Sequence, residues 1–235
     1  MASYSGEKPF SDYFSPFLIY LATHFSDGER LPALSVISRE LGVSLASLRE
    51  QLEVARALGV VEVKPKTGIR RLSYSFKPAV IHSLNYAMLV DERNFRRFAE
   101  LRTHIEAAYW YQAVSLLTEN DLEVLECLLK KAEEKLSSDP PQIPHPEHRE
   151  LHLTIFKRLE NPFVFGILEA YWDLYEAVGL ALYTDIHYLK TVWNYHRQMV
   201  EAIRQGEVDR GYRALLEHAD LLQARAPSVR RQTFE

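Results

Sequence analysis

The chain of 235 residues holds nine histidines, and four of them stand at spacings that suit metal ligation. His148 and His152 are four residues apart in a stretch of helical pattern. That spacing puts both imidazoles on one helix face, one turn apart. His196 and His218 flank Gly206, ten residues before it and twelve after. If the stretches on either side of that glycine are helices folded back on each other, arms of about 15 and 18 Å return the two imidazoles to nearly one level. Two such pairs converging in a bundle suit an imidazole-binding divalent ion, zinc or nickel, better than magnesium or calcium. His145 sits in a proline-rich segment, and His104 and His187 have no assigned part.

Two other readings of these histidines stand beside the metal site. The segment His148-Arg149-Glu150-Leu151-His152 has the outline of a zinc-protease helix. That chemistry needs its glutamate directly after the first histidine, as base for the metal-bound water. With neither a glycine-rich phosphate loop nor a nucleophile elbow, a helical metalloenzyme is the remote alternative. The other is a bundle that only dimerises and holds no metal.

The elements that must position these residues follow from periodicity. Ser15-Pro16 opens an apolar helix that Ser26-Asp27-Gly28 breaks. A second helix carries Leu34, Ile37 and Leu41 inward, and Gly42-Val43-Ser44 interrupts it. Ser44 caps a third helix with Leu48, Leu52 and Ala55 on one face, ended by Gly59. The period then changes: residues 60–63 read as a strand, 64–68 as a turn and 69–76 as a return strand. Helix, helix, sharp turn, helix and hairpin is the order of a winged helix-turn-helix.

After Pro78 the pattern is helical. Phe95, Phe98 and Ile105 recur at helical spacing, and Leu122, Leu125 and Leu129 do so behind a Thr118 cap. Residues 137–146 contain four prolines and read as a loop. Helices are expected near 147–159, 162–183, 186–205 and 207–224. The fold class is therefore mainly α: a winged helix-turn-helix over residues 1–78, an all-helical effector-binding and dimerisation domain over 79–225, and a flexible tail over 226–235.

Charge agrees with this division. Residues 1–78 carry 10 Lys/Arg and 8 Asp/Glu, a net +2, while the remainder carries a net −6. Lys64, Lys66, Arg70 and Arg71 fall within eight positions. The lone Cys127 excludes an internal disulfide and fits a reducing cytoplasm. No apolar run reaches membrane-helix length, and Met1–Phe10 lacks a secretory pattern. In a DNA-reading head, the recognition helix would present Ser44, Ala46, Ser47 and Arg49 to the major groove. The wing, with Lys64, Lys66, Thr67 and Gly68, would lie along the flanking backbone.

Leu31-Pro32, Glu40-Leu41-Gly42-Val43-Ser44, Leu48-Arg49-Glu50 and Leu58-Gly59-Val60-Val61-Glu62-Val63 together resemble the DNA-binding domain of GntR-type regulators. The resemblance implies binding to a double-stranded DNA operator. Ser35 and Leu45 stand where that family commonly has arginine, so the family's usual operator preference does not carry over.

The second half resembles the FCD effector domain of the FadR subfamily. The matching residues are Glu100-Leu101-Arg102 with Glu106, His152 followed by Asn161-Pro162-Phe163, and His196-Arg197-Gln198-Met199-Val200-Glu201-Ala202-Ile203 with Gly206 and His218. The resemblance implies a metal held by His152, His196 and His218, with His148 where the family has aspartate. It also implies that Arg102 meets the carboxylate of an effector. Four neutral imidazoles leave a divalent ion its full charge, which favours a small anionic metabolite. The expected protein is a cytoplasmic, homodimeric, ligand-responsive transcription regulator and not an enzyme.

Overall fold

The computed structural model describes residues 14–179 and 185–224. Backbone contacts divide the chain into two compact units, residues 1–79 and 80–235.

The first unit contains α1 (Pro16–His24), α2 (Leu34–Leu41), α3 (Leu45–Ala57), β1 (Val61–Lys64) and β2 (Gly68–Arg71). Local chemistry sets each boundary. Ser15 caps α1 by accepting from the Leu18 N–H, with proline at the first helical position. Gly42 ends α2 at φ 66°, a left-handed conformation that costs other residues steric strain. The Ser38 hydroxyl donates to the Val43 carbonyl at 2.6 Å and closes the turn. Ser44 then caps α3, accepting from the Ser47 N–H at 3.1 Å. Every element sends a residue to one core, among them Phe17, Ile37, Leu48, Ala55, Val61 and Ile69.

β1 and β2 pair antiparallel with Val61 opposite Arg71 and Lys64 opposite Gly68. The return strand is shorter than the expected 69–76. β1 reaches back only to Val61, so residues beyond Leu72, whose N–H bonds to the Val60 carbonyl, have no strand to pair with. The other edge of β2 carries a short partner that sequence reading passed over. Gly28 N–H donates to the Arg71 carbonyl, Arg71 N–H to the Glu29 carbonyl and Leu31 N–H to the Ile69 carbonyl, each at 2.9 Å. The hairpin is thus anchored to the segment between α1 and α2.

The second unit is helical: α4 (Lys77–Val90), which begins at the unit boundary, α5 (Asn94–Ser115), α6 (Glu119–Ser137), α7 (His145–Phe156), α8 (Pro162–Gly179), α9 (Ile186–Arg204) and α10 (Val208–Ala224). Thr118 and Asp121 form a reciprocal capping box at the start of α6. Asp121 is fully buried, and Lys157 and Arg158 close over it, fastening the start of α6 to the end of α7. The loop before α7 ends earlier than expected, because Pro146 occupies the first turn of α7, where its missing N–H costs nothing. α7 stops at Phe156 rather than at 159. The expected end of α8 at 183 and the tail from 226 lie outside the described residues. α9 and α10 fold back through Gly206 and pack along each other.

Trp110 of α5 is fully buried against α10, its indole N–H donating to the Val208 carbonyl at 3.0 Å. Gly211 permits that approach: a Cβ there would come within 2.7 Å of the Trp110 ring.

Candidate metal centre and DNA-reading surface

Four helices of the second unit supply one polar cluster inside an apolar core. α7 contributes His148 and His152, α9 His196, α10 His218, and α5 Arg102 and Glu106. His152, His196 and His218 are completely buried and His148 nearly so. One candidate ligand atom from each of the four histidines lies within 4.8 Å of all the others. His152 Nε2 and His196 Nε2 are 3.1 Å apart. Two nitrogens each about 2.05 Å from a tetrahedral zinc stand about 3.3 Å apart, so this pair already has the separation of co-ligands.

The four residues fit a divalent ion on a second ground. His148 Nε2, His196 Nδ1 and both ring nitrogens of His218 are buried without a hydrogen-bond partner. Each such atom costs on the order of 1–3 kcal/mol if nothing satisfies it. Burial pushes His148, His196 and His218 well below the ordinary imidazole range, and neighbouring histidines push the same way. His152 is lowered chiefly by burial, with Glu106 opposing. All four therefore present neutral imidazole, the form that ligates metal.

Beyond the ring of histidines, Arg102 and Glu106 are an ion pair one helical turn apart, each only 1% exposed. Arg102 Nη2 lies 2.8 Å from His152 Nδ1, and Glu106 Oε1 lies 3.2 Å from the same atom. The guanidinium stacks over the Tyr171 and Trp172 rings at 4.9 and 5.3 Å. Burial raises the Glu106 carboxyl, but Arg102 and His152 pull it further down, so it stays ionised. A cleft lined by Ile143, His145, His148, Tyr188 and Trp193 reaches the cluster from the start of α7. Glu150, the middle residue of the protease-like segment, is exposed and off the histidine face.

All four expected ligands and Arg102 thus meet in one place. Sequence reading named Glu106 only as part of a pattern and missed its contact with His152. Its spacing of four from Arg102 was the available signal.

In the first unit, Ala46 and Arg49 are exposed on α3, and Ser44 is exposed with its hydroxyl used as the helix cap. Ser47 is half-buried, its hydroxyl accepting from Gln51 Nε2 at 3.2 Å. Leu45 is 39% exposed beside them. At the hairpin tip, Lys66 and Thr67 are exposed, and Gly68 lies beside the Arg30 guanidinium. Lys64 pairs with Glu62 at 2.8 Å. Arg30 at the hairpin was missed because its placement depends on the pairing of its segment with β2.

Residues 97–221, more than half of the chain, match the FCD domain. The chain belongs to the FCD-domain family. It is 26% identical over 104 residues to the HTH-type transcriptional regulator LutR of Bacillus subtilis, a match covering 44% of this chain and 47% of LutR. It is 23% identical over 203 residues to the Uxu operon regulator of Haemophilus influenzae, covering 83% of this chain and 73% of that one. Among solved structures, the Streptococcus agalactiae GntR protein shares the fold with a TM-score of 0.63 at 20% identity, covering 89% of this chain and 96% of that one. The FCD match contains His148, His152, His196, His218 and Arg102. Both of these curated relatives are named as regulators, and no helix among the described residues of this chain is long and apolar enough to cross a membrane.

Proposed function

We propose that this chain is a GntR-type regulator of the FadR subfamily, ligand-responsive, which binds a two-fold symmetric double-stranded DNA operator as a cytoplasmic homodimer. Its FCD domain holds one divalent transition ion, zinc or nickel, on His148, His152, His196 and His218. A bound ion supplies positive charge and, where its coordination stays open, a position for a carboxylate oxygen. Arg102 supplies the fixed second charge for a small anionic metabolite. The observation that carries the reading is the convergence of four buried imidazoles beside a buried guanidinium.

On the DNA side, the exposed Arg49 suits a base edge or phosphate, and Lys66 the flanking backbone. Leu45 replaces a hydrogen-bonding contact with an apolar one suited to a thymine methyl. Anion binding that favours one arrangement of the two heads changes operator affinity by linkage.

The test is operator selection from random duplex DNA, followed by affinity measurements on zinc-loaded protein against a panel of carboxylates. A palindromic site and an affinity shift with at least one carboxylate, abolished in His152→Ala, are expected. A response that persists in His152→Ala would contradict the reading.

A further inference from the structure

Two contacts at one ring atom make incompatible demands. His152 Nδ1 is 2.8 Å from Arg102 Nη2 and 3.2 Å from Glu106 Oε1. A guanidinium is always a donor, so the first contact requires a lone pair on Nδ1. An ionised carboxylate is always an acceptor, so a hydrogen bond at the second position requires a proton there, and Glu106 Oε1, buried without a hydrogen-bond partner, has none while Arg102 holds Nδ1. A neutral imidazole satisfies one or the other.

We infer that His152 Nδ1 is shared in alternation: Arg102 holds it in the metal-free protein and Glu106 holds it when His152 Nε2 ligates a metal, so that metal loading releases Arg102 Nη2 to an anion. The inference rests on the metal reading above and adds an order of events to it.

In the Arg102-held state the His152 proton sits on Nε2, 3.1 Å from His196 Nε2, which accepts it. That tautomer has no lone pair on Nε2 for a metal. Ligation through Nε2 needs the proton on Nδ1, because Nδ1 is the nitrogen turned toward α5. The Nδ1–H then finds its acceptor in Glu106 Oε1, the carboxylate–histidine–metal arrangement that fixes ring orientation and raises ligand basicity. Arg102 Nη2 now faces a donor and loses its partner. The guanidinium keeps its place, because its Nε stays 2.9 Å from Glu106 Oε1 and its plane stays over Tyr171 and Trp172. What changes is that one buried N–H becomes free for a carboxylate oxygen. Glu106 is thus a positioning residue for the ligand His152, and Arg102 competes with it.

The experiment titrates the full-length protein with zinc alone, comparing wild type with Glu106→Ala, Glu106→Gln and Arg102→Met. Glu106→Ala should weaken zinc binding about 10- to 100-fold. Glu106→Gln, which keeps an acceptor for Nδ1–H, should weaken it less. Arg102→Met should bind zinc at least as tightly as wild type. A purely structural role of the ion pair would weaken both the Glu106 and the Arg102 variants, and a pure charge effect would make Gln equal to Ala. Either pattern overturns the inference. A second readout needs no substitution that risks the fold: ¹H–¹⁵N spectra of histidine-labelled wild type, with His152 assigned from its loss in His152→Gln. The ring should carry its proton on Nε2 without zinc and on Nδ1 with it. A ring that keeps one tautomer throughout overturns the inference while leaving metal binding standing. Absence of zinc binding by wild type overturns the metal reading itself, and the inference with it.

Discussion

Lowering the pH of the metal-free protein should destabilise the helical unit steeply, well above the range where carboxylates titrate. His148, His196 and His218 are held neutral by burial, far below the ordinary value of about 6.5 that they regain on unfolding. The unfolded chain therefore takes up protons that the folded chain does not. Stability is full above pH 6.5 and is lost as the pH falls toward the depressed folded-state values. Between pH 7.0 and 5.5 each such histidine removes on the order of 1 kcal/mol, and the three together a few kcal/mol. That is a large part of the roughly 5–15 kcal/mol that holds a typical domain. Glu106 and Asp121, both lowered, remain ionised in folded and unfolded chains over this window and do not oppose the loss. The assay is denaturant unfolding in chelator at a series of pH values, followed by tryptophan fluorescence. All three tryptophans, Trp110, Trp172 and Trp193, lie in the helical unit, so the signal reports that unit alone. A change of less than about 1 kcal/mol between the two pH values would show that the cluster is hydrated and protonated in the folded state, which would remove the basis for a pre-neutralised ligand set.

Zinc binding at pH 6.5 should release few protons, because burial has already deprotonated the ligands. Its calorimetric enthalpy should therefore be nearly the same in buffers of different ionisation heat, whereas a solvated four-histidine site would release about two protons per ion. Arg49→Ala should cost about 1–3 kcal/mol of operator binding, and Lys66→Ala should lower the salt slope by about 1, in fluorescence anisotropy titrations. The Lys64→Ala effect should be smaller, since Lys64 is paired with Glu62. Normal binding by both the Arg49 and the Lys66 variants would misplace the reading surface. Gly211→Ala should lower stability: overpacking against Trp110 costs about 1–3 kcal/mol, against about 1 kcal/mol gained in helix propensity. An unchanged or higher melting temperature would contradict the close approach of α5 and α10.

What was legible in the sequence was what a single periodicity encodes. The spacing of His148 and His152 puts them on one face of any helix, and Gly206 marks a fold-back that brings His196 and His218 level. Ser15, Ser44 and Thr118 announced the helices they cap. What was not legible depends on partners distant in the chain. An arginine and a glutamate four apart usually lie on a wet helix face, and only the packing of α7 and α8 over α5 buries Arg102 and Glu106. The pairing of residues 28–31 with β2 likewise crosses about 40 residues of sequence and leaves no local pattern. The shortened β2 has the same origin, since a strand ends where its partner does.

The most direct test of the central claim is the metal content and coordination of protein dialysed against zinc and then against weak chelator. We predict one zinc per chain, with X-ray absorption showing imidazole nitrogens at about 2.0–2.1 Å. His196→Ala and His218→Ala should each lose it. Wild-type protein that retains no zinc or nickel, or an ion bound by oxygens that survives both substitutions, would contradict the account.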